Sequence, residues 1–384
     1  MPGIFSSLNL EPNSIERAKQ QALRSKRRLL DLSNSDFAAL GLAFPKSVLE
    51  QAATHYLATR KYQPDPQGLF ALREKIAADY RRSGGLEEIT AESIVITSSS
   101  SESYRLLFTL LCDAGDKILT PAVGYPLTEI IALDAKVEPK SFTLDLTLNY
   151  CPERIAQAYD AKARAVILVS PHNPTGAVVK SDLLELVPAE VALIADQVFF
   201  PYQWHTNPRQ HAGSLIKNRP VFHLGGLSKQ FGLPDLKLGW IAMNQVAKDL
   251  YLQRLAFLND TYLSASYLVQ NIAIELFSPE GSKWTELLHK RCQENITRAQ
   301  QLLSSVPELD CPLPDGGCFL FPKVLLENFD SEKFALSLLG RGILVHPGYF
   351  YGDRYQSHLF LSILANLADL ESGIKTISDT ILTS

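Results

Sequence analysis

An α/β fold, with a mostly parallel sheet covered by helices and joined to a smaller α+β part, is what this chain of 384 residues predicts. Three observations carry it. Short apolar runs alternate with stretches of helical periodicity, which is how parallel strands cross over through helices. The chain is too long for one ordinary core, so a large domain and a smaller one are expected. Several apolar runs end on Ser98–Ser101, Asn173, Asp196 and the pair Ser228-Lys229. A parallel sheet would gather these at the carboxyl ends of its strands, where ligands bind.

Residues 12 to 30 read as a polar helix that Leu32-Ser-Asn-Ser-Asp36 breaks into a loop. A helix can begin after Pro45, from Ser47 onward. Lys61-Tyr-Gln-Pro-Asp-Pro-Gln-Gly68 cannot be helical, because its two prolines remove donors and force extended geometry. An amphipathic helix from Leu69 to Tyr80 follows. Ile94-Val-Ile-Thr97 is a short strand, and behind the four serines Tyr104, Leu107, Phe108 and Leu111 recur on one helix face, with Gly115 as its stop. Hydroxyls and free N–H groups at a helix start favour a phosphate. Plain N-capping by serine is the simpler reading of the same residues.

Lys117-Ile-Leu-Thr120 reads as a strand and Tyr125 to Ala135 as a helix. Ala165–Val169 and Val191–Ala195 are continuous apolar runs, read as buried strands, that lead into Ser-Pro-His-Asn-Pro-Thr-Gly176 and Asp196. Val221–Leu224 and Leu238–Met243 are two more, flanking Lys229. After Ile241 the pattern turns helical, through Leu250 to Phe277, and Pro279-Glu-Gly281 reads as a break. A long amphipathic helix is expected from Lys283 to about Leu303, with Leu287, Leu288, Cys292 and Ile296 on one side. Asp315–Phe321 then reads as a turn and strand, residues 331 to 340 as a helix, and Ile343–Val345 and Leu359–Leu364 as strands. The change of composition near residue 282 places the large domain at residues 46–282 and builds the small one from 1–45 and 283–384.

Composition narrows the function. Nearly half the residues are apolar and one-fifth charged, and the net charge of −4 offers no electrostatic case for nucleic acid or an anionic membrane as partner. The cluster Arg24-Ser-Lys-Arg-Arg28 reads as the solvated face of a helix. Five cysteines at scattered spacings suggest neither a disulfide framework nor a metal site, which fits a reducing compartment. Met1–Ser7 lacks the charged and apolar regions of a signal peptide, and no apolar run approaches the roughly 20 residues that span a bilayer. The expected location is cytoplasmic.

Lys229 is the residue around which a chemistry can be built. At a sheet end, held away from bulk water, its amine sheds a proton and becomes nucleophilic enough for a Schiff base. Taken by itself, a solvated lysine in a glycine-rich loop is the plainer reading.

The order of motifs changes that balance. Tyr62 with Gly68-x-x-x-Leu-Arg73, Thr97-Ser-Ser-Ser-Ser-Glu102, Pro121-x-x-x-Tyr-Pro126, Asn173-Pro-Thr-Gly176, Asp196, Ser228-Lys229 and Pro347-Gly348 together resemble the class I/II aminotransferases, the aspartate-aminotransferase-like enzymes of fold type I that use pyridoxal 5'-phosphate. The resemblance runs from about residue 30 to 365. It implies that Lys229 holds the cofactor as a Schiff base and moves the substrate's α-proton, and that Asp196 keeps the pyridine nitrogen protonated. Asn173 would donate to the phenolic oxygen and Tyr125 would stack on the ring. Ser99, Ser100, Ser101, Ser228 and Lys237 would gather the phosphate. Tyr62 would reach across a homodimer interface to the neighbouring phosphate. Asn34 and Arg354 are the candidates to face the substrate. The activity implied is transfer of an amino group between an amino acid and a 2-oxo acid. A lyase or decarboxylase would use the same lysine, aspartate and asparagine, and a cofactor-sensing regulator would need a DNA-binding segment that this chain does not show.

Four positions depart from the family pattern. Phe199 stands where a tyrosine usually bonds the phenolic oxygen, so the cofactor loses a donor. Lys237 replaces a phosphate-binding arginine, a point charge in place of a fork. Ser99-Ser100 replaces a glycine pair. Phe360, in Phe360-Leu-Ser362, replaces the arginine that clamps the substrate carboxylate, an interaction worth roughly 1.5–3 kcal/mol. The stretches Gly226–Lys229, Gly232–Trp240 and Asp260-Thr-Tyr-Leu-Ser264 resemble one subgroup of the family, which does not specify a substrate.

Overall fold

The structure, a computed structural model, describes residues 9–26, 28–60, 62–180, 183–204, 209–263 and 265–383. The readings made on Met1–Ser7, Lys61 and Ser264 lie outside the described residues.

The chain opens with helix α1 (Ser14–Arg24), capped by Asn13, whose side chain accepts from the Glu16 N–H at 2.8 Å. This helix is shorter than the one expected over residues 12 to 30, because the chain re-extends into strand β1 (Leu30–Asp31). Helices α2 (Lys46–Thr59) and α3 (Phe70–Gly84) follow, with the proline-rich segment between them non-helical where described. Gly85, at φ 65°, ends α3 in the left-handed conformation that glycine adopts without strain.

The large sheet is built next, from β2 (Ile94–Thr97), β3 (Lys117–Pro121), β4 (Glu138–Phe142), β5 (Ala163–Val169), β6 (Ala192–Asp196), β7 (Val221–Gly226) and β8 (Gly239–Met243). Between them lie α4 (Ser100–Leu111), α5 (Leu127–Ala135), α6 (Pro152–Ala158) and the single turn α7 (Leu227–Gln230). The strand order is β2-β8-β7-β6-β5-β3-β4, and only β8 runs antiparallel to its neighbours. This reversal brings Gly239, at the start of β8, beside Thr97 and Gly226, at the ends of β2 and β7.

Alternation along the strands builds the core on both faces. Ile118, Ala165, Ile167, Ile194, Phe222 and Leu224 pack with α4 residues Leu107 and Phe108 on one side. Leu119, Val166, Leu168, Leu193 and Ala195 join a second cluster that runs into the C-terminal third. Each fully buried leucine or isoleucine contributes about 1.5–3 kcal/mol relative to exposure. Edge strand β4 and helix α6 were not anticipated from the sequence.

Two expectations need correction in the next segment. The helix expected through Phe277 is two helices, α8 (Gln245–Thr261) and α9 (Tyr267–Leu276), separated where Leu263 turns left-handed at φ 54°. Pro279-Glu-Gly281 is not a break but the first turn of α10 (Pro279–Ser304). Ser278 caps it by accepting from the Gly281 N–H, and a proline in the first turn gives up only an N–H that has no partner there.

The remaining elements are β9 (Leu309–Asp310), β10 (Phe319–Leu320), β11 (Lys323–Val324), α11 (Ser331–Gly340), β12 (Ile343–Leu344), β13 (His346–Pro347), β14 (Leu359–Ser362) and α12 (Leu367–Ile381). Strands β10, β14 and β13 form an antiparallel sheet with β14 in the middle. Strand β1 pairs in parallel with β12, and the Ser362 N–H donates to Leu32 O at 2.6 Å, so both chain ends meet beside the large sheet. No described helix is long and apolar enough to cross a membrane.

Candidate functional site

A cavity of about 830 Å³ opens at the carboxyl edge of the large sheet, against β13 and β14. Ser99, Ser100, Ser101, Tyr125, Asn173, Asp196, Ser228, Lys229 and Lys237 all line it. The strand order explains their convergence, since β2, β3, β5, β6 and β7 all end at this edge.

The serine turn is the best-defined piece. Ser99 is the N-cap of α4, and its hydroxyl accepts from the Glu102 N–H at 3.1 Å, while the Glu102 carboxylate accepts from the Ser98 N–H. Ser100 and Ser101 begin the helix at the cavity wall, where its unpaired N–H groups and dipole favour an anion. Gly239 sets how close this turn can come. A Cβ there would lie 2.8 Å from Ser99 C and 2.9 Å from Ser100 N.

Asp196 ends β6, buried. Its Oδ2 accepts from the Tyr104 hydroxyl at 2.7 Å and its Oδ1 from the Val198 N–H at 3.2 Å. Burial pushes its carboxyl above the usual range, against the pull of these two hydrogen bonds. A buried carboxylate in this setting fits a cationic ring nitrogen. Tyr104 was expected only as a core residue; an aromatic hydroxyl on an otherwise apolar helix face was the available signal. Asn173 lines the same cavity, with an amide NH2 that can donate and a side-chain oxygen that is buried with no hydrogen-bond partner. A cofactor presenting a pyridine nitrogen, a phenolic oxygen and a phosphate would meet a partner for each, so these residues fit pyridoxal phosphate.

Lys229 lies in the turn α7, whose backbone is tied down by the Tyr202 hydroxyl donating to Lys229 O at 2.8 Å. The Lys229 ammonium lies 5.9 Å from the Phe199 ring centre and 6.0 Å from that of Phe37. Burial in these surroundings lowers its pKa; Cys318 and Asp36 oppose the shift and Lys237 adds to it. An amine so placed is more readily neutral and nucleophilic than a surface lysine.

Three predicted residues do not line this cavity. Asn34 turns back on its own loop, accepting from the Asp36 N–H at 2.8 Å, while its neighbours Ser33 and Ser35 face the cavity. Arg354 is exposed on a short turn, Asp353–Tyr355, with its side chain outside the lining. Tyr62 is 78% exposed, with its ring 5.7 Å from that of Tyr267. Where the sequence reading looked to Arg354 to replace a missing clamp, the structure instead builds an aromatic wall. Phe360 is buried in it, 4.9 Å from Tyr351, 5.7 Å from His346 and 5.7 Å from Phe319. No place in the site was expected of His346, Tyr351 or Phe319, the last read only as part of a strand, because the pairing of β13 and β10 with β14, and the turn after β13, bring them together.

The chain matches the family model for aminotransferases of class I and II over residues 27–372. It is 25% identical over 374 residues to the glutamate-pyruvate aminotransferase AlaA of Haemophilus influenzae, covering 92% of each chain. It is 23% identical over 366 residues to an alanine aminotransferase of Mycobacterium bovis, covering 92% of this chain and 85% of that one. Among solved structures, the alanine aminotransferase from Pyrococcus furiosus superposes with a TM-score of 0.89 at 20% identity over the full length of both chains. An aspartate aminotransferase double mutant of Thermus thermophilus gives 0.83 at 20% identity, over 99% of this chain and 100% of that one.

Proposed function

We propose, for a chain that belongs to the class I and II aminotransferase family and so works with pyridoxal phosphate, that Lys229 is the catalytic residue of amino transfer between an amino acid and a 2-oxo acid. The convergence of the Lys229 amine, the buried Asp196 carboxylate and the Asn173 amide on one cavity carries this reading. Pyridoxal phosphate, when bound, supplies an aldehyde that exchanges for the amino group and a ring that takes up the electrons of the breaking bond.

The chain's own residues do the rest. Lys229 would hold the cofactor through its amine, and that amine, once free, would take the α-proton of the amino donor. Asp196 holds a proton on the ring nitrogen, and Tyr104 fixes the carboxylate that does so. Asn173 would donate to the phenolic oxygen through its amide nitrogen, and Phe199, having no donor, would leave that oxygen less stabilised than a tyrosine would. Ser99, Ser100, Ser101, Ser228, Lys237 and the start of α4 hold the phosphate, with Tyr125 over the ring.

The relatives' names make L-alanine and L-glutamate the donors, and pyruvate the acceptor, to try first. A purified yellow protein should lose its chromophore with either donor, regain it with pyruvate, and carry no covalently held cofactor as Lys229→Ala. A chromophore still attached in that variant would remove the lysine from its role.

The same reading makes the protein a homodimer in the cytoplasm. Tyr62, exposed and outside its own chain's cavity, suits a role at the neighbouring phosphate, and the exposed Tyr262 and Leu263 suit an interface. The five cysteines, none in a disulfide, suit a reducing compartment. We read residues 46–282 as the large domain and 1–45 with 283–384 as the small one, supported by the pairing of β1 with β12. Light scattering of the purified protein should give twice the chain mass, and Tyr62→Phe should weaken cofactor retention.

A further inference from the structure

The aromatic wall says what can lie against it. From the reactive amine outward, Phe199 meets Phe319 edge-on at 5.1 Å, and Phe319 on β10, Phe360 on β14, His346 on β13 and Tyr351 in the turn after β13 continue the surface. Among the described residues lining the cavity, Lys229 and Lys237 are the cationic ones. The first is the reactive amine, and the second sits with the serine turn in the phosphate reading above. The hydroxyl at the wall is engaged too, since Tyr351 meets His346 Nδ1 at 3.1 Å. Burial holds His346 below its usual pKa and so neutral, although Asp31 opposes the shift. Glu129 and Asp353 are exposed at the cavity mouth. A carboxylate pressed on this wall would be stripped of water with no cation of the described residues at the wall to pair with, whereas a hydrocarbon gains by the same contact. A carboxylate-rimmed mouth also draws in an ammonium and repels an anion.

We propose that the wall centred on Phe360 is a subsite for the hydrocarbon of an apolar primary amine, so that the enzyme also takes amino groups from alkyl- or aralkylamines with no carboxylate on the reacting carbon. The inference rests on the transaminase reading above. Its chemistry balances within the known reaction. The amine's carbon exchanges its C–N bond for C=O with an oxygen from water, losing two electrons. The carbonyl carbon of the acceptor takes up the nitrogen and the two electrons and releases its oxygen as water, so no outside oxidant is required.

The full-length holoenzyme tests it. Conversion of the bound cofactor to its amine form is followed by absorbance with 2-phenylethylamine, n-hexylamine, L-phenylalanine and L-alanine. The two amines should react about tenfold faster than either amino acid, or better, and Phe360→Arg should invert that order by giving a carboxylate its partner. Phe360→Leu, which keeps the wall apolar, should keep the wild-type order. Calorimetry with unreactive probes gives a readout without turnover: 2-phenylethanol should bind wild type more tightly than 3-phenylpropionate, and the ranking should invert in Phe360→Arg. Faster conversion by the amino acids, with tighter binding of 3-phenylpropionate to wild type, would overturn the amine subsite and leave the transaminase standing. No conversion by any of the four donors, with L-glutamate and pyruvate also inert, would overturn both.

Discussion

Lys229 and Asp196 are displaced from their ordinary protonation in opposite senses, and the two displacements predict opposite pH dependences. Burial lowers the Lys229 pKa, so between that lowered value and the ordinary 10.5 the unfolded chain binds more protons than the folded one. Stability of the cofactor-free protein therefore rises with pH across that window. The thermal midpoint of Lys229→Met, followed from neutral pH to about 10.5, should lack this rise; an identical profile in variant and wild type would mean that the amine is not desolvated. Burial raises the Asp196 pKa above 3.8, so the folded chain is the one that holds the extra proton, and stability falls as pH climbs through that window. Asp196→Asn should thus be at least as stable as wild type at neutral pH without cofactor. Its turnover should nevertheless drop roughly 10²–10³-fold, the order lost with one preorganised electrostatic partner. A variant that is both stable and fully active would take Asp196 out of the mechanism. Both positions were legible from sequence, Asp196 after a continuous apolar run and Lys229 after the strand-like Val221–Leu224. The Tyr104 hydroxyl that holds Asp196 was not, because its contact spans residues far apart in sequence and depends on which way α4 turns over the sheet.

The turn from β2 into α4 works only because another strand lets it. Ser99 is an ordinary cap, and Ser99→Ala should cost about 1 kcal/mol, as loss of an N-cap does. Gly239 is different. A Cβ there would lie 2.8 Å from Ser99 C, 2.9 Å from Ser100 N and 3.1 Å from Gly225 O, and each of these is backbone that cannot swing aside. Gly239→Ala should push the turn off its position and weaken retention of the cofactor phosphate by about tenfold or more, with far-UV circular dichroism unchanged. Equal cofactor retention in Gly239→Ala and wild type, measured by equilibrium dialysis, would separate the turn from phosphate binding. The sequence shows the serines but not this approach, since it arises where antiparallel β8 pairs with both β2 and β7. Elements were readable where one helix face repeats, as in α4, or where an apolar run is continuous, as in β5. They were missed where it does not: β4 (Glu138-Pro-Lys-Ser-Phe142) is a polar edge strand with only Phe142 buried, so no alternation marks it. Helix α12 was missed as well, although it repeats Leu370, Ile374, Ile377 and Ile381 on its buried side, and its packing partner α10 is far away in sequence.

Across the whole molecule, acid is where stability should fail first. His172 and His223 are wholly buried, and burial brings each pKa down to about 3; His358 is brought to about 4 and His211 well below its usual value. In the unfolded chain these rings take up protons below about 6.5. The unfolded state therefore binds more protons than the folded one from about 6.5 down towards the folded values, and stability is lost as pH falls through that window. Each fully buried histidine contributes a slope of about 1.4 kcal/mol per pH unit, so His172 and His223 together remove nearly 3 kcal/mol for each pH unit of the window, against a total of roughly 5–15 kcal/mol. The raised Asp196 and Asp79 pull the other way at acid pH, but two carboxyls stand against a larger set of desolvated rings, His346 among them. The Nδ1 atoms of both His211 and His223 face Gln197 Oε1, at 3.1 and 2.9 Å, so protonating either ring disturbs a shared partner beneath the sheet. Urea midpoints at pH 7, 6 and 5 should fall steadily, and His223→Gln should reduce the slope by about one proton. A midpoint unchanged between pH 7 and 5 would mean that water reaches these rings in the folded protein, and with it the sheet that carries Asp196 and leads into Lys229.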